Sequence, residues 1–191
     1  MGETYRIVGA DSDADLRGIL ALQSANLPHA LTPAERAGQG FVTLTHDLAL
    51  LREMNAPWPH VIAKRGSEVV GYALVTLPSF RARLPLLEPM FTRLEQLAWR
   101  GRPLAELRHY VMGQVCVAHE HRGRGLFERL YDGHRRQMGQ AFELCVTEVA
   151  SANPRSLRAH AKVGFVELDV HEAEPGSSWA ILALELGRPR P

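Results

Sequence analysis

The spacing of apolar residues along the chain predicts both strands and helices. Alternating or continuous runs of β-favouring residues predict strands over residues 4–8, 60–64, 69–76, 110–117, 142–149, 165–170 and 179–185. Apolar residues three and four apart predict helices after Asp11, Ser12 and Asp13, from Thr32, and over 47–55, 86–99, 124–138 and 156–163. The turn Arg65-Gly66-Ser67 joins two of the strands into a hairpin.

The order of these elements indicates a mixed α/β fold. Antiparallel hairpins come first, and a strand–helix–strand unit over 110–149 follows. Two strands joined by a helix run parallel through a right-handed crossover. The chain of 191 residues has the length of one large domain, and no repeat or linker divides it. We therefore expect one domain over residues 1–187 and a frayed tail over 188–191.

The composition narrows the range of functions. A net charge of +1 argues against a protein that binds nucleic acid through bulk charge. The apolar runs fall short of the ~18 residues of a membrane span, so we expect no membrane association. The two cysteines, Cys116 and Cys145, are too few for a secreted disulfide scaffold, and the first residues lack the order of a signal peptide. These features favour the cytoplasm.

Residues 115–127 combine a strand end, a glycine-containing loop and a helix start. Backbone amides at a helix start point outward, and the helix dipole favours negative charge there. Gly123 and Gly125 permit positive φ and close approach to the backbone. The segment therefore predicts an anion site, although it lacks the Gly-Lys-Ser/Thr of a P-loop and the third glycine of a dinucleotide-binding turn. Taken alone, it is equally compatible with a solvated turn.

A second segment, 153–165, begins with an asparagine that is predicted to cap a short helix, and it ends in Gly-Phe. Together the two segments resemble the GCN5-related N-acetyltransferases, the GNAT superfamily. In that family a strand leads into Arg/Gln-x-x-Gly-x-Gly/Ala and a helix, and the run Arg122-Gly123-Arg124-Gly125-Leu126 matches this motif. The family's second motif is an Asn at a strand end, a short helix and Gly-Phe, which Asn153 and Gly164-Phe165 match.

The resemblance covers roughly residues 109–170 and implies a single GNAT-like domain. Its central sheet would be mixed and mostly antiparallel, with a splayed pair of parallel strands and flanking helices. The chain departs from the family at Phe127, which replaces the last Gly or Ala of the first motif. It also has His119 where a proline is often found. Phe127 keeps its backbone amide, so we expect altered loop packing without loss of binding.

The resemblance also implies a donor, acetyl-CoA, and no metal ion. One amide of the preceding strand end would polarise the thioester carbonyl. The loop amides would bind the CoA pyrophosphate, and they belong to Arg122, Gly123, Arg124, Gly125, Leu126 and Phe127. The strand end that would pair with the pantetheine arm is Val115, Cys116 and Val117, and the residues expected beside pantetheine are Asn153 and Ser156.

Two ionisable residues are candidate catalytic groups. Glu148 lies five residues before Asn153, where several N-terminal protein acetyltransferases of the family carry a general base. The alternative is a strand-end carboxylate paired with an arginine. His160 lies seven residues after Asn153, where many members have a Tyr that protonates the leaving thiolate. An imidazole could do the same, or His160 could only pack and cap the helix.

Other polar residues are weaker candidates. Tyr110 and Gln114 share one face of their strand and could contact the acceptor. His119 and His121 alternate with Glu120, but no third ligand stands at metal-site spacing, so we interpret them as solvated loop residues. We interpret the two cysteines as buried structural thiols. The acceptor pocket is expected around the variable segments 26–41 and 77–107.

The leading hypothesis is an acyltransferase that passes an acetyl group from acetyl-CoA to a primary amine by direct attack. The acceptor would be a small-molecule or peptide amine, and a homodimer is left open. The alternative is a CoA-binding sensor or regulatory module without turnover. An RNA-binding protein that uses the Arg-Gly loop is a third hypothesis, which the near-neutral charge and the lack of an aromatic and basic surface disfavour.

Overall fold

The computed structural model describes residues 4–27, 30, 42 and 44–187. Its helices are α1 (Asp13–Ser24), α2 (Leu48–Asn55), α3 (Glu88–Leu94), α4 (Leu126–Met138) and α5 (Pro154–Lys162). Its strands are β1 (Tyr5–Gly9), β2 (Val61–Arg65), β3 (Glu68–Thr76), β4 (Ala98–Trp99), β5 (Arg102–Pro103), β6 (His109–Val117), β7 (Leu144–Ala150), β8 (Val166–Glu174) and β9 (Ser177–Glu185). The predicted helix start at Thr32, most of segment 26–41 and the tail at 188–191 lie outside the described residues.

Seven strands form one mixed, mostly antiparallel sheet in the order β1-β2-β3-β6-β7-β9-β8. The pairs β1–β2, β2–β3, β7–β9 and β8–β9 are antiparallel, whereas β6 and β7 are parallel. The parallel ladder joins His109 to Leu144 and Val111 to Val146. Because α4 connects these two strands, the predicted strand–helix–strand crossover is confirmed.

The chain divides into two compact units. Unit 1 comprises residues 1–75 and 113–136, and unit 2 comprises residues 76–112 and 137–191. In unit 1, Ser12 Oγ accepts a hydrogen bond from the Asp15 amide and caps α1, and Asp47 Oδ1 accepts one from the Leu50 amide and caps α2. Both capping residues lie where the sequence predicts helix starts. The apolar faces of α1 and α2 supply much of the unit 1 core, which includes Leu16, Ile19, Leu51, Ile62, Tyr72 and Leu74.

Helix α4 approaches the sheet closely at Gly133. A Cβ added there would lie 2.6 Å from Val61 Cγ1 and 2.9 Å from Ile7 Cγ2. Both neighbours are β-branched side chains, which have few rotamers with which to move away. Gly133 therefore permits a helix–strand contact that any other residue would push apart.

We expect Gly133→Ala to destabilise the protein by about 1–2 kcal/mol, because overpacking outweighs the ~1 kcal/mol that Ala gains over Gly in a helix. Urea unfolding measures the change. The control is Arg136→Ala at an exposed position of the same helix, which should change stability by only a few tenths of a kcal/mol. A more stable Gly133→Ala protein would contradict the close packing.

In unit 2 the predicted helix over 86–99 is wrong in its extent. Only Glu88–Leu94 is α-helical, after a 3-10 turn over Pro85–Leu87, and β4 and β5 form a hairpin after it. Arg100 and Gly101 both have positive φ, at 50° and 81°, as the tight turn of a two-residue hairpin requires. The apolar spacing persists past Leu94, where the α-helix ends and the chain continues into the β4–β5 hairpin.

Candidate active site

The loop before α4, in unit 1, combines two positive-φ glycines with exposed residues just before a helix start. Gly123 and Gly125 have φ values of +73° and +71°, and an added Cβ at either would meet no atom within 4 Å. The positive φ therefore explains why glycine is favoured at both positions, whereas a Cβ atom would meet no steric obstacle there. Residues 123–125 are exposed, and the Gly125 carbonyl accepts the hydrogen bond of the Arg129 amide at 3.1 Å. The first turn of α4 thus begins at the end of an exposed loop.

Side chains within unit 1 hold this loop in place. Arg122 donates from Nε to the Val117 carbonyl and from Nη2 to Asn26 Oδ1, each at 2.9 Å. His121 is 3% exposed, and its Nδ1 lies 2.9 Å from the Tyr5 hydroxyl. The interpretation of His121 as a solvated residue is therefore wrong, whereas His119 is exposed as expected. The hydrogen bonds of His121 and Arg122 thus hold the start of the loop, and Gly123 and Gly125 are exposed to solvent.

Along the strand end before the loop, buried residues alternate with partly exposed ones. Cys116 is buried, and Val115 and Val117 on either side of it are partly exposed. Burial raises the pKa of the Cys116 thiol to about 11, so it is protonated at neutral pH. Cys116 and Cys145 are both free and buried, which confirms the burial predicted for them. The Ala118 amide donates to the Val70 carbonyl at 2.9 Å and continues the pairing toward the loop.

Gln114 belongs to a buried hydrogen-bond network of unit 1. Its Oε1 accepts from Gln23 Nε2 and from the Tyr72 hydroxyl, each at 2.7 Å, and its Nε2 donates to the Leu44 carbonyl at 3.0 Å. Gln114 is 7% exposed. These bonds use its amide for internal connections, which favours a structural role over acceptor contact.

Glu148 and His171 form a close pair in unit 2. Glu148 Oε1 lies 2.5 Å from His171 Nε2, and the two side chains are 13% and 12% exposed. Burial raises the pKa of Glu148, and the hydrogen bond to His171 partly offsets this rise. The partner of this carboxylate is a histidine, not the arginine considered from the sequence. A raised pKa increases the proton affinity of this carboxylate, and this direction of change favours a general base.

An ion pair involves Asp169, which lies two positions before His171 on the same strand. Arg93 of α3 donates from Nε and Nη2 to the two carboxylate oxygens of Asp169, at 2.6 and 3.0 Å. Arg93 lowers the pKa of Asp169, which therefore stays ionised. This bidentate pair fixes α3 to β8 within unit 2.

Asn153 and His160 occupy the two ends of α5. Asn153 Oδ1 accepts from the Ser156 amide at 3.1 Å, which is the capping role predicted for it. His160 is 1% exposed, and its Nδ1 donates to the Ser156 carbonyl at 2.8 Å. Burial lowers the pKa of His160 to about 4, so the ring is neutral at pH 7 with its proton on Nδ1. In this form the ring supports helix packing more readily than proton donation to a thiolate.

Two kinds of feature are not found in the described part of the chain. No group of three or more His, Cys, Asp or Glu side chains there is arranged to hold a metal ion. None of the helices described combines the length and apolar character needed to cross a bilayer.

Comparison with known proteins identifies the family. The model of the acetyltransferase (GNAT) family matches residues 29–165, which is more than half of the chain. The chain belongs to this family. Comparison with curated protein sequences finds no match.

Solved structures show that the GNAT fold extends over nearly the whole chain. A putative acetyltransferase from Acinetobacter baylyi is 19% identical with a TM-score of 0.64, covering 97% of this chain and 95% of that one. A putative acetyltransferase from Salmonella typhimurium, solved with its cofactor acetyl-CoA, is 19% identical with a TM-score of 0.58, covering 95% and 94%. The ribosomal-protein-S18-alanine N-acetyltransferase from Escherichia coli is 11% identical with a TM-score of 0.60, covering 97% and 96%.

Two residues of the GNAT chain carry contacts that the sequence analysis did not anticipate. His171 contacts Glu148 although the two are 23 positions apart and on strands separated by β9. Asn26 accepts a hydrogen bond from Arg122, which lies 96 positions away. Neither contact has a local sequence signal. The first depends on the order of the strands in the sheet, and the second depends on how the end of α1 packs.

Proposed function

We propose that this GNAT protein transfers an acetyl group from acetyl-CoA to a primary amine by direct attack, without a metal ion. The observation that carries the proposal is the exposed, left-handed glycine backbone at 123–125, immediately before α4, in a chain that the family model matches. A helix start of this kind favours a diphosphate through its outward amides and its dipole.

For the donor, we assign the pyrophosphate to the backbone of residues 122–127. The Arg122 side chain serves the loop itself, since it donates to Val117 and Asn26. The strand end Val115, Cys116 and Val117 would offer backbone groups to the pantetheine arm, and one amide would polarise the thioester carbonyl. Asn153 and Ser156, joined by the cap of α5, are assigned to the pantetheine as well.

For the acceptor, we assign proton removal to Glu148. A primary amine is mostly protonated at neutral pH and must lose a proton before its nitrogen can attack a carbonyl carbon. The carboxylate of Glu148 takes this proton directly or through a water molecule. The freed lone pair then attacks the thioester carbon, and the C–S bond breaks as the tetrahedral species collapses. For His160 we propose the packing role, because its Nδ1 proton is committed to the Ser156 carbonyl.

The acceptor would be a small-molecule or peptide amine. The Escherichia coli neighbour acetylates a ribosomal protein, as its name states, and that makes a peptide amine a reasonable first test. The alternative function is a CoA-binding sensor without turnover. Thiol release from acetyl-CoA separates the two, because only the enzyme releases thiol in response to an added amine.

The donor assignment predicts that acetyl-CoA stabilises the wild-type protein by ~2.7 kcal/mol at a hundredfold excess over its Kd. Gly125→Asp should abolish this shift, because a side chain strains the positive φ and its charge repels the pyrophosphate. Thermal unfolding with and without acetyl-CoA measures both effects.

The matched control for this variant is Gly66→Asp. Gly66 also has positive φ, at 61°, and an added Cβ there meets no atom within 4 Å, but it lies in the β2–β3 turn. This control should keep the full shift with acetyl-CoA. An unchanged melting temperature of the wild-type protein with millimolar CoA would overturn the proposed donor.

A further inference from the structure

The contact between Glu148 and His171 is so short that it must be a hydrogen bond. An oxygen and a nitrogen 2.5 Å apart need a hydrogen atom between them, since two lone pairs would repel. The contact involves only one carboxylate oxygen, Oε1, and only one ring nitrogen, Nε2. The side chains are about one-eighth exposed, so water competes little for this bond.

We propose that His171 is the positioning residue of the general base: its Nε2–H donates to Glu148 Oε1, holds the carboxylate ionised, and leaves Oε2 to take the proton of the acceptor amine. This inference rests on the proposed function, because it gives His171 a role in the reaction only if Glu148 is the base. The proton balance is simple. The ammonium N–H bond breaks, an Oε2–H bond forms, and Glu148 later returns the proton to water while the His171 Nε2–H bond stays intact.

The side chains that flank the pair lie on β9, β8 and α3. On β9, Ile181 lies opposite Glu148 and Trp179 lies opposite His171, and neither brings a charge. On β8, Glu172 is adjacent to His171 and is exposed, and Asp169 lies two positions before His171. Arg93 of α3 holds Asp169 in a bidentate pair and offsets its charge.

A purely structural pair and a positioning pair differ in their titration. If His171 stabilises the ionised carboxylate, its removal leaves burial to act alone and the proton affinity of Glu148 rises. A structural bond would change stability without moving the titration of Glu148 or the pH profile of the reaction. The decisive readout is therefore the titration midpoint of Glu148.

The experiment uses three variants of the full chain labelled with ¹³C at glutamate side-chain carboxyls. His171→Leu removes the donor, and His171→Gln keeps a neutral N–H donor. His109→Leu is the control, because His109 is a half-buried histidine of the same unit whose Nδ1 donates to the Leu107 carbonyl. The Glu148 signal is assigned by its loss in Glu148→Gln.

We expect the Glu148 midpoint to rise by about one pH unit in His171→Leu, to rise less in His171→Gln, and to stay in place in His109→Leu. The acid limb of kcat/KM should move with it. If His171→Leu does not fold, His171→Gln and the wild-type protein still decide the matter, since a ¹H–¹⁵N spectrum of the wild type must show the proton of His171 on Nε2.

The outcomes separate the two proposals. An unmoved Glu148 midpoint in His171→Leu, or a wild-type His171 without a proton on Nε2, overturns the role of His171 whatever the activity. A midpoint that moves while the acid limb stays in place removes Glu148 as the base, and with it the reaction role of His171. Absence of amine-dependent thiol release in the wild type overturns the proposed function and with it the reaction role of His171, while the titration still decides separately whether His171 holds the Glu148 carboxylate.

Discussion

Glu148→Gln should lower turnover by about 10²- to 10⁴-fold and leave CoA affinity nearly unchanged, because the amide keeps the shape of the side chain but accepts no proton from the amine. Burial raises the pKa of Glu148, so the wild-type reaction should fall on the acid side as this carboxyl becomes protonated. The variant should lose this acid limb. Its defect should shrink at high pH, where the amine arrives already neutral.

Steady-state kinetics from pH 6 to 10 with a reactive amine measure both effects. Glu172→Gln, an exposed carboxylate on β8, is the matched control and should retain wild-type turnover. Near-normal turnover of Glu148→Gln across the pH range would make this carboxylate structural. The base would then be another residue or a bound water.

Acid should unfold the protein steeply between about pH 6.5 and 4, because its buried histidines must become charged. His60, His134 and His160 are at most 1% exposed, and burial lowers their pKa values to about 3, 4 and 4. His46, which is half-buried, also has a pKa lowered to about 4. All four lie well below the ordinary value of 6.5, so the unfolded chain binds protons that the folded chain does not.

Because the unfolded chain binds more protons, the free energy of unfolding decreases as the pH falls. Above pH 6.5 both states are neutral at these sites and stability is fully present, and it is lost as the pH falls toward the native pKa values. Each histidine costs up to ~1.4 kcal/mol per pH unit, so the three fully buried ones cost about 4 kcal/mol per unit. Over the window from pH 6.5 to 4 this amounts to about 10 kcal/mol, which is comparable to the whole stability of a domain, about 5–15 kcal/mol.

Urea unfolding at several pH values measures this slope. His160→Gln removes one titrating group and should make the slope between pH 6 and 5 shallower by about 1.4 kcal/mol per unit. His119→Gln, at an exposed position, should leave it unchanged. Equal stability at pH 7 and pH 5 would show that these histidines accept protons in the folded state.

The sequence predicted those features of the fold that depend on local spacing. Helix α1 with its Ser12 cap, the β2–β3 hairpin and the crossover from β6 through α4 to β7 were all identified from periodicity and turn residues. The helix predicted over 86–99 was too long, because apolar spacing alone cannot show that Arg100 and Gly101 would turn the chain back.

The same distinction applies to the candidate site, where features of one continuous segment could be predicted and contacts between distant residues could not. The glycine loop and the Asn153 cap are continuous segments, so their backbone roles could be predicted from composition and order. His171 could not be, since its contact with Glu148 requires β9 to lie between β7 and β8. His121 was misjudged because nothing near it in the sequence reveals the Tyr5 hydroxyl to which it bonds.

The hydrogen bond from Arg122 to Asn26 has a consequence for how this protein can diverge. It joins the loop before α4 to the residues that follow α1, and Asn26 is only 6% exposed. A relative with glutamine in place of Arg122 has a shorter side chain that cannot reach both the Val117 carbonyl and residue 26. Substitutions at positions 26 and 122 should therefore occur together among relatives, and an alignment would show the two columns varying as a pair.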